Sequence, residues 1–346
     1  MVDIFLITSA NPTDNPVIRL LENNGVKELD FLCLTHPHYD HVKGVSYLVN
    51  NYKIRRFLGF ATLTPQEFYN QMVKVLITKA KRLHYHAPEK EIASELLEAL
   101  GSINNKVKNG QMVHDPVVVT ATVLNEVVGQ EKLPLRMTAI APSGRSVARY
   151  HEKLSACFDI SDPGKILADK VEEIEHNEIS SAFILEYGAH RIILGGDVES
   201  SGWSDILQRP APGFDLRADL VKVSHHGSEN AYCPGLWEQQ LSPQKRAGAV
   251  VTAYSAKALP RPRGIAHLRQ NCIRVVTTSM SSLKPKQASS TAQSPFSSLP
   301  MDARIALDAL FKNVSPPSPG RGVCSFAFDG VRTIQEELGG DAGAIL

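Results

Sequence analysis

Residues 35–41, THPHYDH, decide the fold of this chain, because they place three imidazoles and one carboxylate directly after the apolar run LDFLCL. Such a run is typical of a buried β strand. Neutral imidazole and carboxylate are the ligands that zinc and similar divalent metals prefer. Alternate positions in an extended turn project the same way, so we expect His36 and His38 to hold one ion and Asp40 and His41 to face a second.

A solvated polar loop is the alternative interpretation of this segment, since a single histidine is usually a surface or core residue. The density of the cluster argues against that alternative. Spacing of the form His-x-His-x-Asp-His directly after a strand indicates metal binding much more strongly than any one of its histidines does.

Two later segments end apolar runs with the same kinds of side chain. Asp197 follows ILGG, whose two glycines allow close backbone approach, which suits a carboxylate that bridges two cations, although an aspartate at a strand end is also a common turn residue. His225 and His226 follow the run LVKVS. One of them should complete the second metal site and the other should donate a proton or contact substrate, and spacing does not say which. Our working assignment takes His225 as the ligand and His226, with Asp40, as catalytic.

The segments THPHYDHVKG, ILGGDVE and VKVSHHGS resemble the successive motifs of the metallo-β-lactamase superfamily, in particular the hydrolase domain of ComEC-type competence proteins. The first motif of that branch, His-x-His-x-Asp-His-x-x-Gly, corresponds to residues 36–44. Its bridging acid lies in a Gly-Asp-x-Glu turn, here residues 196–199, and its paired-histidine motif is residues 225–228. A preceding Asn-x-x-Ser is similar to residues 177–180, and the resemblance runs from about residue 15 to residue 329.

The resemblance implies an α/β fold of the four-layer αββα type in a single domain, residues 1–346. Three- and four-residue apolar spacing predicts a helical insert within residues 60–130. A Ser- and Pro-rich stretch predicts a flexible loop over residues 279–300. The family's opening β hairpin has no counterpart in MVDIFLITSAN, so we expect either a fold that lacks this hairpin or a true start that lies upstream.

A further histidine before the bridging aspartate binds metal in the wider superfamily, and the ComEC-like branch often lacks it. His176 is the candidate for that position in this chain. The resemblance leaves open whether His176 is a ligand here.

The function implied is that of a hydrolase in which two divalent ions, zinc or alternatively manganese, lower the pKa of a shared water and supply hydroxide. The resemblance favours a phosphoester or nucleic-acid substrate, and basic residues near the later motifs are candidates for phosphate contacts: Lys222, Lys257, Arg261 and Arg263. One alternative is a small-molecule hydrolase acting on a lactone, thioester or β-lactam. Another is a degenerate, non-catalytic binding protein.

Composition limits which other classes of protein the chain can belong to. The chain has 346 residues with 37 basic and 36 acidic side chains, a net charge of +1, so no global field draws it to nucleic acid or to a membrane surface. The five cysteines are far apart and never form a Cys-x-x-Cys pair, which argues against a disulfide framework. We therefore predict a cytoplasmic protein with no membrane association.

Overall fold

The computed structural model has a mixed α/β structure, as the interleaved strand and helix patterns predicted. It describes residues 16–60, 71–78, 88–128, 132–159, 161–162, 165–209, 213–240, 247–254, 257–279, 322–328, 334–340 and 343–344. Within these ranges, the helices lack the combination of length and apolar character that a bilayer span requires.

The first part of the chain builds a small parallel sheet and the helices that accompany it. The sheet has three strands, which pair in the order β1 (Glu28–Cys33), β2 (Lys53–Phe60) and β3 (Val113–Val117). The helices are α1 (Pro16–Asn23), α2 (Tyr39–Val42), α3 (Val45–Asn51), α4 (residues 71–78) and α5 (Pro88–Lys108). Gly25 has a φ of +65° just after α1, a left-handed conformation that suits glycine at the end of a helix.

The long helix α5 holds α3 at both of its ends. At the N-terminus of α3, the Glu95 carboxylate accepts hydrogen bonds from the backbone N–H groups of Gly44 and Ser46, both at 3.0 Å. At the C-terminus, the Lys106 ammonium donates to the carbonyl oxygen of Val49. Because negative charge is favourable at a helix N-terminus and positive charge at its C-terminus, both contacts stabilise the helix that directly follows the histidine motif.

The second part of the chain builds a larger mixed sheet. Its first seven strands in chain order are β4 (Thr122–Val128), β5 (Leu133–Ala141), β6 (Ala182–Tyr187), β7 (His190–Leu194), β8 (Leu220–Lys222), β9 (Gly248–Val251) and β10 (Arg274–Thr277). Strands β11 (Gly322–Phe328) and β12 (Ile334–Gly340) pair only with each other, and β13 (Gly343–Ala344) is the eighth strand of the large sheet. The order across the sheet is β13-β10-β9-β8-β7-β6-β5-β4. Strands β4 to β7 are antiparallel neighbours, whereas β7 to β10 are parallel. The remaining α-helices are α6 (Gly144–Ala156), α7 (Ser200–Leu207), α8 (Pro234–Gln240) and α9 (Pro262–Asn271).

Three clusters of buried apolar side chains hold these elements together. The first joins α1, α3, α4, α5 and α6 to the small sheet, and the second joins α7, α8 and α9 to the large sheet. The third contains side chains from β1, β2 and β3 of the small sheet and from β4, β5 and β6 of the large one: Cys33, Leu58, Val117, Val123, Met137, Ala139 and Phe183. The two sheets therefore share a core of their own.

The predicted helical insert, residues 60–130, is helical only in part. Helices α4 and α5 lie in this range, but the last part forms strands β3 and β4, which corrects the prediction there. Each of these strands is an edge strand with few buried side chains, Val117 in one and Val123 in the other, so neither has the apolar run that identifies a strand in a sequence. The first 15 residues and almost all of the predicted loop at 279–300 lie outside the described residues.

Candidate metal centre

The turn after β1 brings the first histidines together in the interior. Thr35 and His36 are completely buried. The Thr35 hydroxyl lies 3.0 Å from Nδ1 of His36, so Nε2 is the His36 nitrogen that faces the cluster, 2.9 Å from Nδ1 of His38. The backbone N–H of His41 donates to the carbonyl oxygen of His38 at 3.0 Å, and the chain turns there into the short helix α2. This turn delivers the whole motif to one end of β1.

Asp197 reaches the same place from the end of β7, and two glycines make that approach possible. A side chain at Gly195 would lie 2.4 Å from the Ser224 hydroxyl, and one at Gly196 would lie 2.3 Å from the carbonyl oxygen of Ser181. Gly196 also has a φ of +51°, which favours glycine. The prediction that these glycines allow close backbone approach is confirmed. The backbone N–H of Asp197 is fixed by donating to the Ser180 hydroxyl at 2.8 Å.

The paired histidines follow β8 on a turn with unusual backbone angles. His225 and His226 have φ values of 45° and 54°, and Gly227 follows with 70°. Left-handed conformations cost non-glycine residues about 1 kcal/mol or more, and such residues concentrate at functional sites. The turn separates the two rings, whose centroids lie 6.4 Å apart. Each histidine therefore has its own set of neighbours.

Two groups of potential ligand atoms result, and they share one carboxylate. The first donor group consists of His36, His38 and Asp197, and the second consists of Asp40, His41, Asp197 and His226. Within each group the ligand atoms all lie within 4.8 Å of one another. Asp197 uses both of its oxygens, since Oδ1 lies 3.4 Å from Nε2 of His41 and Oδ2 lies 3.8 Å from Nε2 of His36. This is the arrangement expected for a carboxylate between two cations.

The two carboxylates are held in their charged form. Burial by itself raises the pKa of Asp40, but hydrogen bonds from His226 and His41 outweigh burial and hold this pKa far below its ordinary value. Nε2 of His226 lies 2.7 Å from Oδ2 of Asp40. Burial also raises the pKa of Asp197, but the charge and hydrogen bond of His41 outweigh burial and lower it well below the usual range. Charged carboxylates are the form that binds divalent metals.

The imidazoles of the first donor group are held in their neutral form. Burial lowers the pKa of His38 to about 4. Burial also lowers the pKa of His36, and the nearby His41 and His38 lower it further. Only a neutral imidazole has a free lone pair for a metal, so these side chains are in the required protonation state near neutral pH.

Contacts with residues outside the donor groups orient the rings of two more histidines, as a metal site requires. Nδ1 of His226 lies 2.8 Å from the carbonyl oxygen of Thr252, so Nδ1 carries a proton, and Nε2, which faces Asp40, is the nitrogen that a bound metal would take in place of this hydrogen bond. Nδ1 of His176 lies 2.8 Å from the Tyr150 hydroxyl, which fixes that ring in the same way. Histidines that bind metals typically use their second nitrogen in such a contact. The residues present therefore fit a divalent metal centre.

The structure brings most of the predicted site residues together, with two differences. His226, rather than His225, belongs to a donor group, because the turn directs His225 towards Glu199, whose Oε1 lies 3.5 Å from Nδ1 of His225. The geometry thus favours His226 as the candidate ligand, whereas our working assignment had taken His225. His176 lies beside the first donor group, 5.4 Å from His38 between ring centroids, but is not a member of it.

Several contacting residues were not predicted as parts of the site: Thr35, Tyr150, Ser180, Glu199 and Thr252. Ser180 and Glu199 lie in motifs that the sequence comparison had matched, so a signal for them existed. Tyr150 lies on α6, 26 positions before the histidine that it contacts, and nothing in its local sequence marks it. Thr252 acts through its backbone carbonyl, which no side-chain pattern can reveal.

Comparisons with known proteins agree with this geometry. A model of the metallo-beta-lactamase superfamily matches residues 11–59, which include β1 and the first histidine motif. ComE operon protein 3 of Bacillus subtilis (strain 168) is 23% identical over 264 residues, which cover 76% of this chain and 25% of that protein. The chain thus spans about a quarter of the length of this relative. The predicted resemblance to the metallo-β-lactamase superfamily, and within it to the ComEC-type proteins, is confirmed.

Proposed function

We propose that this chain is a metal-dependent hydrolase with a dinuclear centre that cleaves phosphoester bonds, with nucleic acid as a candidate substrate. The observation that carries the proposal is the shared position of Asp197 in two donor groups that together combine side chains from the ends of β1, β7 and β8. A family resemblance and a His/Asp cluster fit a metal-dependent hydrolase, and the phosphoester preference is inferred from the likeness to ComEC-type proteins.

The candidate site residues have the following proposed roles. We assign His36 and His38 to the first ion, with His176 as a third ligand through Nε2, and Asp40, His41 and His226 to the second, with Asp197 between them. When bound, the ions, zinc or alternatively manganese, would lower the pKa of a water and polarise the scissile group. His225, with Glu199 and Asn177 beside it, is left to contact the substrate.

The arrangement also supports proposals on fold and location. We infer that the three buried clusters are the three interfaces of the predicted four-layer αββα fold. A cytoplasmic location is consistent with the absence of a disulfide among the four cysteines whose side chains the structure describes: Cys33, Cys157, Cys233 and Cys272.

Metal analysis combined with a substrate panel tests the proposal. We expect close to two equivalents of metal per chain and hydrolysis of bis(p-nitrophenyl) phosphate that a chelator abolishes and added zinc or manganese restores. A chromogenic lactone, thioester and β-lactam in the same panel test the small-molecule alternative. A chain that binds no metal, or that binds metal and hydrolyses none of these compounds, would contradict the proposal, and the second result would favour a non-catalytic binding protein.

A further inference from the structure

The four basic residues near the later motifs occupy different environments. Lys222 is half-buried, and its ammonium donates to the carbonyl oxygen of Gly196 at 3.1 Å, so it supports the turn before Asp197. Arg263 lies 3.7 Å from the Glu229 carboxylate. Lys257 and Arg261 are both exposed, and within the part of the chain that the structure describes neither side chain has an ion pair. Lys257 is therefore the lysine of this set whose charge is available to a ligand.

Lys257 lies at the tip of the loop that follows β9, and this loop is packed on the paired-histidine turn. The carbonyl oxygen of Thr252 accepts the Nδ1 proton of His226, and the ring of Tyr254 stacks on the His226 ring with centroids 5.1 Å apart. Further along the loop, Pro260 lies so close to Gly227 that a Cβ there would be 3.0 Å from it. The loop is thus fixed to the candidate metal centre before and after its tip.

The described residues on either side of the tip are joined by their backbones. Tyr254 and Leu259 exchange two backbone hydrogen bonds, each 3.0 Å long. Within that bridge, the backbone N–H of Lys257 donates to the carbonyl oxygen of Tyr254 at 3.3 Å. The lysine backbone is therefore held on the same residue that stacks on the proposed ligand His226.

We propose that Lys257 binds an anionic group of the substrate, a phosphate of a phosphodiester, at the mouth of the metal centre. This inference rests on the proposed function and specifies its substrate class. Lysine suits the role because its ammonium is a compact charge on a flexible stem that can follow a phosphate without a fixed geometry. Metals polarise one part of such a substrate, and a separate cation is needed to hold the negative charge that remains.

The electrostatics of the centre agree with this placement. The charge of Lys257 contributes to lowering the pKa of His38 and also the pKa of His225, although burial is the largest cause in both cases. His38 follows β1 of the small sheet, whereas His225 follows β8 of the large one. The charge of Lys257 is therefore close enough to act on rings from both halves of the candidate centre.

Steady-state kinetics of the zinc-loaded full chain test the proposal. For bis(p-nitrophenyl) phosphate, an anion, we expect Lys257→Met to raise KM about fivefold with little change in kcat, in line with the strength of an exposed ion pair. Lys257→Arg should restore most of the affinity. For the neutral ester p-nitrophenyl acetate, KM should not change. Lys108→Met, which removes the same charge from the last turn of α5, is the matched control and should behave as wild type.

A binding measurement separates the failure of this inference from the failure of the proposed function. If the wild-type chain hydrolyses no phosphodiester, titration calorimetry with a thymidine dinucleotide still compares wild type with Lys257→Met. Weaker binding by the variant, at unchanged metal content, would support the lysine contact even without turnover. Equal binding, no binding by either chain, or an equal rise in KM for the anionic and the neutral substrate would overturn it.

Discussion

The two sheets contribute to the candidate metal centre in different ways. The small sheet supplies four potential ligands from a single turn after β1, within six consecutive residues. The large sheet supplies Asp197 and His226 from two neighbouring strands, 29 positions apart in the chain. The first set is a property of local sequence, whereas the second exists only because β7 and β8 pair in parallel and end at the same edge.

The contribution of the large sheet is harder to recognise in the sequence than that of the small sheet, yet it is the contribution that connects the two donor groups. Asp197 is the member common to both donor groups, and its position depends on two glycines, on Ser180 and on Lys222. The turn after β1 has four potential ligands but places no single side chain in both groups. Loss of the large-sheet contribution should therefore affect the whole centre, and loss of one small-sheet ligand only a part of it.

Metal stoichiometry gives the strongest test of this asymmetry. We expect Asp197→Ala to weaken binding of both ions by more than about 100-fold, because a direct ligand should matter at least as much as an outer contact does. Asp40→Ala should lose the second ion and keep the first, since His36, His38 and Asp197 remain. Metal analysis after gel filtration should then give close to zero and close to one equivalent. Equal stoichiometry in the two variants would contradict the shared position of Asp197.

The next test concerns packing at the end of β7. We expect Gly196→Ala to lower the free energy of unfolding by roughly 2–4 kcal/mol, because the new Cβ would meet the carbonyl oxygen of Ser181 at 2.3 Å in a left-handed backbone conformation. Denaturant titration of the metal-free chain measures the change. Gly101→Ala is the matched control, because it lies inside α5 with no atom near the new Cβ and should stabilise the chain by about 0.5–1 kcal/mol. Similar stability changes in the two variants would show that the contact at Gly196 relaxes easily.

Sequence alone predicted the elements and the ligands that depend on local patterns. Strands β6 and β7 form a hairpin that turns at Gly188, whose φ is +55°, and both strands are apolar runs that a sequence pattern can identify. The parallel strands β8, β9 and β10 were recognisable as short runs of buried apolar residues. The candidate ligands after β1 could be proposed without knowledge of the fold, because their spacing is itself the signal.

Other features could not be predicted, because they depend on contacts between distant segments. The choice between His225 and His226 follows from two consecutive left-handed residues, and no propensity of histidine predicts that conformation. Strands β3 and β4 lie at sheet edges, where few side chains are buried. Their sequences therefore lack the apolar pattern that identifies a strand. The contact between Tyr150 and His176 joins a helix to a short turn that follows it, and the pairing becomes visible only when both are packed.

A smaller effect is expected from that contact. Tyr150→Phe removes the hydroxyl beside Nδ1 of His176, so we expect a loss of about 1 kcal/mol in the free energy of unfolding and about tenfold weaker binding of the first ion. Competition with a chromogenic chelator measures the affinity of each ion. Tyr232→Phe is the control, because the Tyr232 ring stacks on His267 outside both donor groups and should leave metal affinity unchanged. Unchanged affinity in Tyr150→Phe would remove His176 from the proposed ligands.

The smallest effect is expected at the opposite end of β1, where the ionic contacts are exposed rather than buried. The Glu28 carboxylate accepts hydrogen bonds from Arg55 and Lys53, and these lower the pKa of Glu28. A lowered carboxyl pKa stabilises the fold at pH values above the unfolded pKa, which is about 4.3 for glutamate, and that contribution is lost as the pH falls through the folded value. We therefore expect Glu28→Gln to lower the melting temperature slightly at neutral pH and not in strong acid, with the difference reduced at high salt because exposed pairs are screened. A difference that persisted in acid would mean that Glu28 stabilises the fold through packing rather than through its charge. The contacts at the two ends of β1 would then differ in kind as well as in burial.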